Sequence, residues 1–167
     1  MIQQLWWVPL LSALIGGALA IGGNLAIEAR RAKVERRNLA LALKGELTAI
    51  IRIVSARKYV KHLEEVVALL DVGNSVEMPP LHISRNYFRI YEENASKIGV
   101  LPPDIAEKII TTYTYANSFI EDATMTRDPE LLPYMAPSLK ETCEILKLTL
   151  AEAQSTVSLI DTKFREC

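Results

Sequence analysis

Leu139-Lys140-Glu141-Thr142-Cys143-Glu144-Ile145-Leu146-Lys147-Leu148-Thr149-Leu150-Ala151-Glu152-Ala153-Gln154-Ser155-Thr156-Val157-Ser158-Leu159-Ile160-Asp161-Thr162-Lys163-Phe164 is the most regular stretch of the chain. Leu139, Cys143, Leu146, Leu150, Ala153, Val157, Ile160 and Phe164 recur at alternating spacings of four and three, an unbroken a/d seam over nearly four heptads. A strand would instead alternate apolar and polar residues, and no such alternation here runs longer than four residues. The stretch predicts a helix, and the chain an all-α fold. Its seam suits either lengthwise packing on the long first helix or zipping to a second chain. In 167 residues the intramolecular bundle is the default.

Upstream of the seam the same period continues in shorter pieces. The segment from Thr124 to Pro137 carries Pro129, Pro133 and Pro137 and predicts a partly helical loop. Leu101-Pro102-Pro103-Asp104 starts a helix, because proline suits the first helical turn. Ile105, Ile109, Tyr113, Ala116, Phe119 (or Ile120) and Ala123 form its apolar face. Ser84 is the expected N-cap of a helix carrying Tyr87, Phe88, Tyr91, Ala95 and Ile98 and closing at Gly99. That aromatic stripe reads as core. Met78 to Ile83 reads as an irregular loop.

From Glu28 to about Leu70 the composition predicts one long helix, interrupted by no proline. It carries two stripes offset around the cylinder, Leu43, Leu47, Ile50 and Val54, then Ile53, Ala56, Val60, Leu63, Val67 and Leu70. Two stripes imply different partners along its length. Asp71-Val72-Gly73-Asn74-Ser75 ends it, with a glycine after the last periodic residue.

The chain before Glu28 is of another kind. Leu5 to Ile27 holds no charged residue, and its 23 residues make a helix of roughly 34 Å, against roughly 30 Å of bilayer hydrocarbon. The expected organisation is a transmembrane helix over 1–27 and a cytoplasmic bundle of about four helices over 28–167, the first continuous with the membrane helix. A cleaved signal peptide would open on basic residues, and Met1-Ile2-Gln3-Gln4 has none. Trp6 and Trp7 suit the headgroup layer. Ala13, Gly16, Gly17, Ala20 and Gly22 are read as a packing face for self-association. Asn24 either hydrogen-bonds between protomers or lines an opening, or it sits at the headgroups. Arg30, Arg31, Lys33, Arg36 and Arg37 form a basic collar over 28–37, expected to hold anionic lipid. Positive charge on that side places the N-terminus outside and the C-terminus in the cytoplasm of a bacterial inner membrane.

Charge is balanced overall but divided along the chain. Residues 28–62 hold ten basic and three acidic groups, and residues 63–167 nine basic and seventeen acidic. The acidic remainder argues against a broad nucleic-acid surface, and leaves room for a small anionic signal or a cytoplasmic protein partner. Cys143 and Cys167 are expected to be free thiols in a reducing compartment.

No phosphate-cradling glycine loop, HExxH, CxxC or GxSxG occurs, so no cofactor or metal is expected and the common enzyme classes lose their support. Arg57-Lys58-Tyr59-Val60-Lys61-His62 is the one short pattern with a chemical meaning. It resembles the R-x4-6-H signature of HEPN-domain ribonucleases, helical bundles in which the Arg and His assist attack of an RNA 2′-hydroxyl on the adjacent phosphate. The resemblance implies Arg57 and His62 as catalytic residues, although the family carries the motif late in its bundle and this chain carries it early. The same residues also read as a basic, exposed helix face. One N-terminal span, a basic collar, a helical domain and this motif together resemble the membrane accessory proteins of type VI-B CRISPR systems. That likeness implies a ring, a membrane pore and a role in antiviral defence. The segment from Tyr87 to Pro103 resembles a stretch found in small bacterial membrane-anchored proteins. Three readings follow: an oligomeric membrane effector or pore, a membrane-tethered scaffold, and a HEPN-like ribonuclease.

Overall fold

The computed structural model describes residues 7–73, 85–125 and 136–165, the side chains of 7–11, 15, 18, 19, 85, 124, 125 and 136 excepted. Their regular structure is entirely helical: α1 (Trp7–Ala56), α2 (Tyr59–Asp71), α3 (Arg89–Asn94), α4 (Pro103–Met125) and α5 (Ala136–Phe164). Two 3-10 turns, Arg85–Phe88 and Ala95–Val100, flank α3. The chain divides into two units, Met1–Asn38 and Leu39–Cys167. The expected loop at 78–83, the cap Ser84, residues 126–135 of the proline-rich loop, and Cys167 lie outside the described residues.

In the second unit α5 packs chiefly on α4 and also on α2, and its Asp161 pairs with Lys44 of the first helix. Leu139, Cys143, Leu146, Ala153 and Ile160 of its seam are buried, and Leu150, Val157 and Phe164 are half-buried. Between them lies a second stripe at seven-residue spacing, the buried Thr142, Thr149 and Thr156. Each hydroxyl donates to the carbonyl four residues back, at 2.9, 2.8 and 2.7 Å. On α4, Thr112 donates to the Lys108 carbonyl at 2.7 Å and meets the Thr156 hydroxyl at 3.3 Å. Threonine is small, and with its hydroxyl satisfied by its own helix it can face a neighbouring helix closely. Thr112 and Thr156 bring α4 and α5 together in this way.

The single helix expected over Glu28–Leu70 is two. α1 stops at Ala56, and Lys58 takes the left-handed conformation at φ 53° before α2 begins. A left-handed non-glycine residue costs roughly 1–2 kcal/mol. The turn re-phases the two apolar stripes, so that Leu39, Ala40, Leu43 and Leu47 face the core from α1 while Tyr59, Leu63, Val66 and Leu70 face it from α2. Each large apolar side chain so buried contributes about 1.5–3 kcal/mol, enough to offset the strained lysine. At the far end of α2 the expected glycine stop is present. Gly73 has φ +76° and its N–H donates to the Leu70 carbonyl at 3.0 Å.

The helix expected from Ser84 to Gly99 is broken into a 3-10 turn, α3 and a second 3-10 turn. Its aromatic residues are core, as expected, with Phe88 buried and Tyr87 and Tyr91 half-buried. The α4 face Ile105, Ile109, Tyr113, Ala116, Phe119, Ile120 and Ala123 is wholly buried. Ile109, 0% exposed, has no route for the surrounding side chains to relax outward. Ile109→Ala is expected to cost about 3 kcal/mol, read as a lower urea midpoint at unchanged slope.

In the first unit α1 is helical from Trp7, so the described part of the uncharged segment is helix. Among the described residues no helix is long and apolar enough to cross a membrane. The expected span Leu5–Ile27 lies partly outside those residues.

Candidate functional site

The best-defined polar site is built around a carboxylate in the second unit. Glu46 sits one residue before Leu47 on the core face of α1 and is 8% exposed. Its Oε1 accepts the Ile90 N–H at 2.6 Å and its Oε2 accepts the Tyr91 N–H at 3.1 Å. These are the second and third residues of α3, whose own N-cap position, Phe88, makes no side-chain capping bond. Glu46 therefore caps α3 from another helix, satisfying donors that the first turn leaves unpaired and placing negative charge at its positive end.

Tyr113 completes the site. Its hydroxyl donates to Glu46 Oε2. Burial first, and the Glu46 carboxylate second, push that hydroxyl well above the ordinary tyrosine range, so it remains a donor. The Tyr113 ring stacks on Tyr91 at 3.9 Å between centroids and meets Phe88 edge-on at 5.4 Å. Carboxylate, helix start and aromatic cluster are thus fixed together. The arrangement positions α3 against α1 and α4.

Arg57 lies in the turn between α1 and α2, and His62 lies on α2. Arg57 Nη1 donates to the Tyr59 hydroxyl at 2.7 Å, and its guanidinium carbon lies 5.9 Å from that ring's centroid. The hydroxyl of Tyr59, with a smaller share from Tyr87, raises the Arg57 pKa above its ordinary value. His62 is half-buried, and its backbone N–H donates to the Lys58 carbonyl at 3.0 Å. Behind Tyr59 an apolar cavity of about 40 Å³ opens, walled by Ile53, Val54, Tyr59, Tyr87, Tyr113 and Phe119 among others. Cys143 is buried, and that burial pushes its thiol pKa up, away from reactivity. Among the described residues no three His, Cys, Asp or Glu side chains are grouped to hold a metal.

In the first unit Ala13, Gly16, Gly17, Ala20 and Asn24 are all exposed. At about 100° per residue, they fall within roughly 100° of arc on α1. Gly22, expected on the same face, lies about 180° from Ala13 by the same rotation and belongs to the opposite side. Leu14, Ile21 and Leu25 cluster on an adjacent face and are 68%, 64% and 61% exposed among the described residues. The collar residues Arg30, Arg31, Lys33, Arg36 and Arg37 are exposed as well.

No family model, curated protein or solved structure matches this chain. The class it belongs to is therefore set by its own architecture, an all-α helical bundle.

Proposed function

We propose that the chain is a single-pass membrane protein that self-associates through α1, forming an oligomeric membrane effector or pore under the control of its helical bundle. The observation that carries this reading is the combination of uncovered leucine and isoleucine side chains with uncrowded glycines on the same helix. A Cβ placed at Gly16, Gly17, Gly22 or Gly23 would meet no atom within 4 Å. A glycine in a helix interior costs about 1 kcal/mol relative to alanine, so four of them need a reason, and packing among the described residues supplies none. Close approach of a second helix in lipid is such a reason for Gly16 and Gly17, which share the face of Ala13, Ala20 and Asn24. The exposed basic collar suits anionic headgroups on the cytoplasmic side. Antiviral defence is the setting that the likeness to type VI-B CRISPR accessory proteins implies.

The mass of the full-length protein in detergent, measured by light scattering, tests this. A closed oligomer is expected, and Gly17→Leu is expected to dissociate it by holding the helices apart. A wild-type monomer at every protein concentration overturns the reading.

A further inference from the structure

We infer that the bundle binds a small uncharged hydrocarbon in the apolar cavity walled by α1, α4 and α5. This inference does not depend on the membrane assembly proposed above, because every residue it uses lies in the second unit.

The sequence leaves the space. Along this stretch the buried faces of α4 and α5 carry Tyr113, Phe119, Ile120 and Leu146, but alanine at Ala116 and Ala153. Both alanines line the cavity, and α1 contributes Leu47, Ile50, Ile53 and Val54 to its walls. At about 40 Å³ the space is roughly three times what one water molecule needs. Ile50, Ile53, Val54 and Leu150 among the walls are only half-buried, which gives a small molecule a short route in.

The walls set the chemistry of the occupant. Threonines and tyrosines stand among them, yet the lining is wholly apolar, because their hydroxyls are engaged elsewhere. Thr112 and Thr149 donate to carbonyls of their own helices, Tyr113 donates to Glu46, and the Tyr59 hydroxyl accepts from Arg57. Water needs two or more polar partners to occupy a cavity, and this one offers none. The same lack turns away alcohols, amides and ions, since each would give up its hydration without replacement. A hydrocarbon gives up nothing and gains contacts. An unfilled apolar space costs stability in proportion to its volume, because the lining lacks partner atoms on one side. With walls from three helices, an occupant ties α1 to α4 and α5, and its binding stabilises the folded bundle by mass action.

The experiment is a titration of the full-length chain, labelled at isoleucine methyls, in phosphatidylcholine nanodiscs under propane, whose pressure fixes its aqueous concentration whatever the lipid takes up. A chain that needs no lipid is titrated in buffer alone, which keeps failure of the membrane reading separate. Xenon is a second apolar probe, and acetamide, of similar size, is the polar comparison. Saturable propane shifts are expected at Ile50, Ile53 and Ile120, which line the cavity, and none at Ile105, Ile109 and Ile160, which are buried elsewhere in the core. The Kd should be no tighter than about 0.5 mM, the bound for so few heavy atoms. Xenon should compete for the same methyls, and acetamide should shift none. The urea midpoint should rise with propane at unchanged slope. Ala153→Leu, which fills the space, is expected to abolish both the shifts and the rise. Shifts that never saturate, equal shifts at Ile105, Ile109 and Ile160, or equal shifts with acetamide overturn the inference on the unaltered chain, whatever the variant does. So does a folded Ala153→Leu chain that binds propane with unchanged Kd.

Discussion

Glu46→Ala should destabilise the helical bundle by about 3–5 kcal/mol. The side chain satisfies two backbone N–H groups at the start of α3 and the Tyr113 hydroxyl, all from one buried carboxylate. Alanine leaves three donors without this acceptor, the Tyr113 hydroxyl among them buried, and an unmet buried donor costs more than a made bond contributes. Tyr113→Phe removes one donor and leaves both N–H bonds in place, so about 1–2 kcal/mol is expected there. The two losses should not add. Once Glu46 is gone the Tyr113 hydroxyl has no acceptor, and Tyr113→Phe in that background should cost nothing or restore some stability. Glu46→Gln tests the charge, since its amide keeps one acceptor but turns a second donor toward donors, and it should fall between the two. Urea unfolding of the wild type and the four variants decides the matter. Additive losses, or a Glu46→Ala cost under 1 kcal/mol, show that the carboxylate does not organise α3.

How much of this was legible beforehand differs by residue. The seam of α5 and the face of α4 were readable, because every apolar position repeats at helical spacing and burial follows the repeat. The partnership of those helices was not, because the threonines at 112, 142, 149 and 156 look polar until each hydroxyl is seen to bond within its own helix. The break at Lys58 had a trace in the sequence. Two stripes out of phase on one supposed helix require either two partners or a change of direction, and a lysine in the left-handed region is not a residue that announces a turn. Glu46 had a trace also, since Leu39, Leu43, Glu46 and Ile50 keep the 4-3-4 rhythm and place a charge in a seam position. What that charge would meet could not be read, because Ile90, Tyr91 and Tyr113 are brought to it only by the packing of three other segments. For Arg57 and His62 the pattern supplied a spacing. The structure places Arg57 in the turn and His62 on α2, and gives Arg57 to Tyr59, a ring between the two in sequence.

Placing arginines at both Leu14 and Ile21 should move the full-length protein out of the membrane fraction. Both side chains are more than 60% exposed, so neither substitution disturbs the buried core of the second unit, whose unchanged circular-dichroism signal serves as control. In a membrane span each arginine near the centre costs about 2.5–3.5 kcal/mol, so the pair amounts to about 6 kcal/mol, or a factor on the order of 10⁴ in partitioning. Val72→Arg, equally exposed at the end of α2, should have no effect on the same measurement. The collar makes a second control necessary. Five basic residues beside an anionic leaflet attract by about 1 kcal/mol each, which could hold the protein on a membrane surface without any span. Such attraction is screened by salt, whereas burial of leucine and isoleucine is not. Wild-type protein is therefore expected to stay with membranes through both a high-salt wash and alkaline carbonate, and the double variant to be released by them. Release of the wild type by salt alone would leave the collar as the binding element and α1 as an ordinary exposed helix, and the glycines at 16 and 17 would then need another explanation.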